Sequence, residues 1–502
     1  MNDPLILAID QGTTNTKALL VSGRGEIVTS TSFPMQVVYP KPGWAEQSAE
    51  HIWRTVVQAI AGSVAKAEGR PIAGLAISNQ RESVIVWDAK TGEPIGPCVI
   101  WQCRRSSEAC AALRAAGHEP EVVKRTGLGL DPMFPATKLA WLIDSVPGAR
   151  RRAERGELRA GTVDSWLIWK LTGGVHATDH SNASRTQLFN LQTLAWDGEL
   201  AELFGVPLRL LAEILPSDGE FGATAVQATA LAAGTPICAV LGDSHAALYG
   251  HGFREPNRVK VTCGTGSSLM LVTPARVQSR HGLSSTIAWS KGPIVLHALE
   301  GNILVSGLAA AYVTRLLGLP DEAALTSLAQ QVPSSDGVVF VPALAGLGAP
   351  HWRDSARGII SGMTLGTAPA HLARAVLEAI ALQIRDVFTA MQSDLGAELP
   401  SIAVDGGASR NDFLMQMLAD LLDRPVIRGA CTEVSALGVA RLAGEALGIW
   451  AADGERETTT FRPRMPASER QAIVSQWRDA IARAVFAPGA AGPTTTARSL
   501  DR

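Results

Sequence analysis

The chain has no apolar run approaching the ~18 residues that a membrane-crossing helix needs. Nor does a positively charged leader with an apolar core precede the first strand-like run, Leu5-Ile6-Leu7-Ala8-Ile9. A cytoplasmic protein without membrane contact is the expectation. An excess of charge of one sign is missing too: Lys and Arg number 45 against 47 Asp and Glu, a formal net charge of −2, with no long like-charge block. That balance argues against a nucleic-acid partner. Cysteine is sparse, and the six present (Cys98, Cys103, Cys110, Cys238, Cys263, Cys431) fit neither a paired metal-ligand spacing nor a disulfide framework. They read as reduced, mostly buried thiols. Cys263 is singled out as the one whose modification would block activity. With 502 residues, 46% of them apolar, the chain is long enough for two to four domains.

What is present is a set of three glycine turns, far apart in sequence, each following an apolar strand-like run. They are Asp10-Gln11-Gly12-Thr13-Thr14 after Leu5 to Ile9, Thr262-Cys263-Gly264-Thr265-Gly266 after Val259-Lys260-Val261, and Asp405-Gly406-Gly407-Ala408-Ser409 after Ile402-Ala403-Val404. Glycine lets backbone N–H groups approach a phosphate, threonine hydroxyls add donors, and an acid at the turn can hold Mg²⁺ through water. Any one such turn is more often an ordinary β-turn. The first two, however, are each followed by a second β-rich run, Thr16 to Val21 and Ser268 to Val272, and so look like copies of one unit. The pattern predicts an α/β protein of two ribonuclease-H-like (actin-like ATPase) domains with an ATP cleft between them.

Alternating strand-like and helix-like stretches support an α/β reading elsewhere. Helices are expected over Ala136 to Ile143, Pro207 to Leu215, from Ser244, over Ala370 to Leu395 and over Phe413 to Leu422. Pro236 to Leu241 reads as a buried strand ending at Gly242-Asp243. The domain change is placed between Gly250 and Pro256, giving an N-terminal substrate domain over 1–250, a C-terminal nucleotide domain over 251–487 and a frayed tail over 488–502.

Several longer segments resemble one family. They include Tyr39-Pro40-Lys41-Pro42-Gly43-Trp44, Asn79-Gln80-Arg81-Glu82, Ile100-Trp101-Gln102-Cys103-Arg104-Arg105, Gly161 to Lys170, Gly346-Leu347-Gly348-Ala349-Pro350, the signature-like Met133 to Trp141, and the run from Gly358 through His371 to Glu378. From Leu7 to about Ser468 the chain resembles the FGGY carbohydrate kinases, the glycerol kinases most of all. The resemblance implies ATP-dependent phosphorylation of a small polyol or sugar with Mg²⁺, and the dimers of that family make a homodimer plausible.

Phosphoryl transfer needs a nucleotide clamp, a metal, a proton acceptor and a closed cleft. Asp243 ends a buried strand near the hinge, where it is either a base facing the cleft or a helix N-cap. The resemblance aligns it with the family's catalytic aspartate. Asp10 is the candidate Mg²⁺ carboxylate. Gly12, Thr13, Thr14 and Lys17 form the first phosphate loop, Lys17 being alternatively a solvated strand residue. Gly264, Thr265 and Gly266 form the second loop, while Gly307, Gly407 and Asn411 align with adenosine-contacting positions. Ala311 stands where the family has a glutamine near adenine, so strict preference for ATP is less secure. Arg81 and Glu82, an ordinary solvated pair without context, supply the donor and acceptor that vicinal hydroxyls require. Trp101 is a wall against the substrate's carbon face or simply core.

The departures from the resemblance bear on specificity. Met133 replaces a tyrosine that hydrogen-bonds glycerol, Ser244 replaces a glutamine, and Ser268 replaces a phenylalanine that closes the pocket. Each change removes volume or reach, so the expected acceptor is a four- or five-carbon polyol or ketose such as a tetritol. His245 is either an extra polar contact or a plain first-turn helix residue. Glycerol remains an alternative acceptor, and a protein switch of the actin or Hsp70 kind the alternative from another class. Neither Ala225 to Leu231 nor Arg464 to Ala467 matches the regulatory segments of some bacterial glycerol kinases, so inhibition by a sugar bisphosphate or a partner protein is not expected.

Overall fold

The computed structural model describes residues 3–253, 257–451 and 457–486. The tail expected over 488–502 and part of the expected domain change, 254–256, lie outside these. Two sheets carry the fold. In the first, β1 (Leu5–Gln11), β2 (Asn15–Ser22) and β3 (Ile27–Pro34) run antiparallel, and β4 (Ile72–Asn79) and β5 (Ile237–Gly242) add parallel on the other side of β1, in the order β5-β4-β1-β2-β3. In the second, β6 (Val259–Cys263), β7 (Ser267–Thr273), β8 (Ser284–Lys291) and β9 (Ile294–Ile303) pair antiparallel, and β10 (Ile402–Asp405) and β11 (Val426–Gly429) add parallel beyond β6. Strand for strand, β3-β2-β1-β4-β5 is repeated as β9-β7-β6-β10-β11. The duplication is that of two actin-like ribonuclease-H-like domains.

The strands form because their sequences are apolar on both faces, as strands covered by helices require. Leu5, Ile6, Leu7, Ala8 and Ile9 are all fully buried. Two main cores result, one around β1 and β4 and one packed by the long helix Pro369–Leu395. That helix opens on proline and ends on Gly396 at φ +65°, as punctuation at its two ends predicts. A third core joins the lobes, where helix α1 (Asp243–Gly250) crosses helix α2 (Val434–Ala446). A Cβ on Gly438 would stand 1.8 Å from Ala246 O, so the crossing depends on that glycine.

The helix expected over Pro207 to Leu215 is not formed. A single 3-10 turn, Leu208–Leu210, is followed by the short strand Glu213–Leu215, which pairs parallel with Ala177–Asp179. Pairing with a neighbouring strand overrides a leucine-rich local pattern there. The other four expected helices appear as Pro135–Ser145, Asp243–Gly250, Pro369–Leu395 and Asp412–Leu422.

Candidate active site

The two hairpin turns face one another across the interlobe cleft. Gly12 closes the β1–β2 turn by donating its N–H to Asn15 O at 2.9 Å, and Gly264 closes the β6–β7 turn by donating to Gly266 O at 2.9 Å. The second turn is braced by helix α3 (Gly307–Leu316), whose Gly307 N–H donates to Gly264 O at 3.0 Å. A Cβ at Gly307 would lie 2.5 Å from that oxygen, which explains the glycine without any ligand. A cavity of about 390 Å³ lies between the turns and brings together Thr13, Thr14, Gly264, Thr265 and Gly266 with Arg81, Glu82, Trp101, Met133, Asp243, Ser244 and Ser268. Residues from both lobes and from six separate segments converge on this one space.

Asp10, Gly12, Lys17, Gly307, Gly407 and Asn411 do not line it. Asp10 is the penultimate residue of β1 and accepts from Ser78 Oγ at 2.9 Å; burial pushes its carboxyl up to about 6 against that hydrogen bond, and the charge of Asp243 adds to the rise. Lys17 is engaged by the opposite lobe: its Nζ lies 2.8 and 2.7 Å from the two carboxylate oxygens of Glu433. Gly407 opens a 3-10 turn after β10, and Asn411 caps the helix Asp412–Leu422, accepting from Leu414 N at 3.1 Å and donating to Thr326 at 2.8 Å.

Asp243 is the first residue of α1, with Gly242 in the N-cap position, so the N-cap alternative does not hold for it. Its Oδ1 accepts from Arg81 Nε at 3.0 Å and from Ser244 N at 2.6 Å. The other oxygen has no protein donor among the described residues, and the side chain is 39% exposed. Arg81 is buried and fully directed, with Nη1 donating to Glu300 at 2.6 Å and Nη2 to Ser244 Oγ at 3.1 Å. Glu82 holds a backbone φ of +60° and accepts from Arg185 Nε at 2.7 Å. The Trp101 indole N–H donates to Thr13 Oγ1 at 2.9 Å, tying that wall of the cavity to the β1–β2 turn.

One expectation fails, and of the two readings of His245 the one without substrate contact holds. Cys263 is fully buried and its thiol is pushed up to about 12 by that burial, so it offers no thiolate for modification. His245 does not reach the cavity; it is fully buried behind Arg81 and Glu300, near Thr286 at 3.5 Å, and burial together with the Arg81 charge keeps it neutral.

The structure also places groups that the sequence reading passed over. Glu300, on β9, and Arg185 are fully buried and ion-paired at 2.6 Å. Lys138 donates to the carbonyls of Glu82 and Met133 at 2.5 and 2.7 Å, and burial pushes its ammonium down to about 8. A carboxylate directly after the apolar pair Ala298-Leu299 was the available signal for Glu300.

Comparison with known proteins identifies the family. The chain matches the N-terminal domain of the FGGY family of carbohydrate kinases over residues 5–250 and the C-terminal domain over residues 259–447. It is 46% identical over 494 residues to a glycerol kinase of Symbiobacterium thermophilum, covering 96% of this chain and 99% of that one. It is 47% identical over 500 residues to an apulose kinase of Pectobacterium atrosepticum, covering 98% and 100%. Among solved structures, glycerol kinase of Plasmodium falciparum with ADP superposes with a TM-score of 0.88 at 30% identity, covering 96% of this chain and 99% of that one.

Proposed function

The chain belongs to the FGGY family of carbohydrate kinases, and we propose that the acceptor it phosphorylates from ATP is a polyol or ketose of four or five carbons, tetritols included. The observation that carries this is the wall made by Met133, Ser244 and Ser268. Both serine hydroxyls are tied back to the charged network at the cavity wall, Ser244 accepting from Arg81 and Ser268 donating to Glu300 at 2.9 Å. Space is left beside Arg81 and Glu82, which grip vicinal hydroxyls at one end of the acceptor. A relative named for apulose supports a longer acceptor. A relative named for glycerol favours the second reading, in which glycerol fits with its vacated end filled by water.

Asp243 takes the proton of the attacking hydroxyl through the oxygen that no protein group occupies. Trp101 holds the carbon face, and the N–H groups of the two turns, with Thr13 and Thr265, hold the transferred phosphate. Asp10 fits a Mg²⁺ ion: its carboxyl is raised by burial beside the phosphate turns, and a cation would restore its charge. One or two carboxylates plus substrate phosphates is the usual Mg²⁺ set, and among the described residues no larger acidic or histidine cluster competes. When bound, the ion neutralises phosphate charge. The test is coupled ADP release with MgATP across C3 to C6 polyols and ketoses. A C4 or C5 compound exceeding glycerol in kcat/KM by more than about tenfold, ~1.4 kcal/mol of transition-state binding, supports the reading. Glycerol as the best substrate rejects it, and ATP hydrolysis indifferent to every acceptor would favour a nucleotide switch.

A further inference from the structure

The groups that read the acceptor are held from behind by a carboxylate of the opposite lobe. Glu300 rises from β9 in the C-terminal sheet and is fully buried. Its Oε1 accepts from Arg81 Nη1 at 2.6 Å and from Ser268 Oγ at 2.9 Å, and its Oε2 is 2.6 Å from Arg185 Nη1. The amide of Asn302, oriented to suit its neighbours, donates to Oε1 at 3.2 Å. Burial alone would raise this carboxyl, but the guanidiniums of Arg185 and Arg81 outweigh it and keep Glu300 well below the ordinary carboxylate range. It is an anion buried between two cations, and Arg185 carries the constraint on to Glu82 at 2.7 Å.

We propose that Glu300 is a positioning residue for the acceptor site, setting how Arg81 is shared between itself and Asp243. The inference rests on the reading of Asp243 as base and Arg81 as acceptor ligand. Arg81 meets Asp243 through Nε alone, at 3.0 Å, while Nη2, the nitrogen that would complete a side-on pair, donates to Ser244 Oγ and Nη1 anchors the group on Glu300. A guanidinium beside a carboxylate prefers the two-pronged pair. Without the Glu300 charge, the anions left to Arg81 are Asp243 and Glu82, the latter 3.9 Å away. Its fork then turns onto Asp243 and covers the oxygen that would receive the acceptor's proton. Glu300 keeps that oxygen open and Arg81 aimed at the cavity. Since the contact crosses the lobes, the acceptor grip is assembled only when the two lobes stand in this arrangement.

The test uses the full chain with Glu300→Gln and Glu300→Asp, read on glycerol and on whichever acceptor the unmodified enzyme prefers. Glu300→Gln is expected to lower kcat/KM for the acceptor by about 100-fold or more, the scale of breaking a buried ion pair. Affinity for MgADP, measured by calorimetry, should stay within about threefold, since Glu300 touches neither phosphate turn. Glu300→Asp keeps the charge one methylene short and should recover about tenfold of the loss, remaining about fivefold or more below the unmodified enzyme. If Glu300→Gln does not fold, Glu300→Asp carries the test alone: lowered acceptor kcat/KM with MgADP affinity retained supports the proposal. Acceptor and nucleotide parameters falling together, or an acceptor kcat/KM within threefold of the unmodified enzyme, overturn it. The base reading fails separately, through an Asp243→Asn enzyme of undiminished kcat.

Discussion

Replacing Met133 by tyrosine should turn acceptor preference back toward glycerol. Met133 is 3% exposed, packs with Leu128 and Phe134, and forms part of the partition between the 390 Å³ cavity and an adjoining one of about 850 Å³. Its backbone is fastened on both sides, the N–H donating to Asp131 at 2.7 Å and the carbonyl accepting from Lys138 at 2.7 Å, so the substitution changes the wall and not the chain path. A phenol that gains one hydrogen bond to a three-carbon acceptor contributes ~0.5–1.5 kcal/mol. The same ring occupies the room proposed for the fourth and fifth carbons, and crowding of that kind costs ~1–3 kcal/mol. Together these shift the ratio of kcat/KM for glycerol over the longer acceptor by ~1.5–4.5 kcal/mol, about 10- to 2000-fold. Coupled ADP release on the purified variant, with both acceptors, measures it. A ratio within threefold of the unmodified enzyme would refute the assignment of Met133 to the acceptor wall.

Three further outcomes are expected. Asp243→Asn should lower kcat by about 10²- to 10⁴-fold with nucleotide affinity retained, as loss of a general base requires; a change of only a few-fold would reduce Asp243 to a structural role. Glu433→Gln should release Lys17 from a part-exposed pair worth ~0.2–1 kcal/mol and lower KM for ATP about 1.4- to 5-fold; an unchanged KM would remove Lys17 from the phosphate loop. His176, set edge-on against Trp87 and bonded to Ala160 O at 2.9 Å, is pushed by burial from 6.5 down to about 4. The unfolded chain therefore takes up this proton first, and stability should fall by up to about 3 kcal/mol as pH drops from 6.5 through 4. Denaturant midpoints against pH should be flatter for His176→Gln; parallel curves would contradict the assignment.

The fold was legible because its signal is local. The apolar runs before each turn are strands, and the turns are hairpins or strand-to-helix connections, all set by neighbours in sequence. The segment around Pro207 misled because its conformation is decided by a strand some thirty residues earlier. In the site, the two turns stood out from their flanking pattern, whereas Arg81, Glu82 and Asp243 were singled out only through the family resemblance. Glu300 and Arg185 were not readable, since a charged residue on a strand or in a polar connection shows its partner only when the lobes are assembled. The partners of Lys17 and His245 were not readable for the same reason: Glu433 and the Arg81–Glu300 pair, which act on them, come from distant parts of the chain.

The central claim, that the wall of Met133, Ser244 and Ser268 admits an acceptor longer than glycerol, is tested most directly by competition. Equimolar glycerol and a five-carbon ketose, or a tetritol, are offered with limiting MgATP, and the phosphorylated products are counted by phosphorus NMR. Their ratio is the ratio of kcat/KM. The longer product should exceed glycerol phosphate by about tenfold or more. Glycerol phosphate in excess against every longer acceptor would contradict the claim and leave an ordinary glycerol kinase.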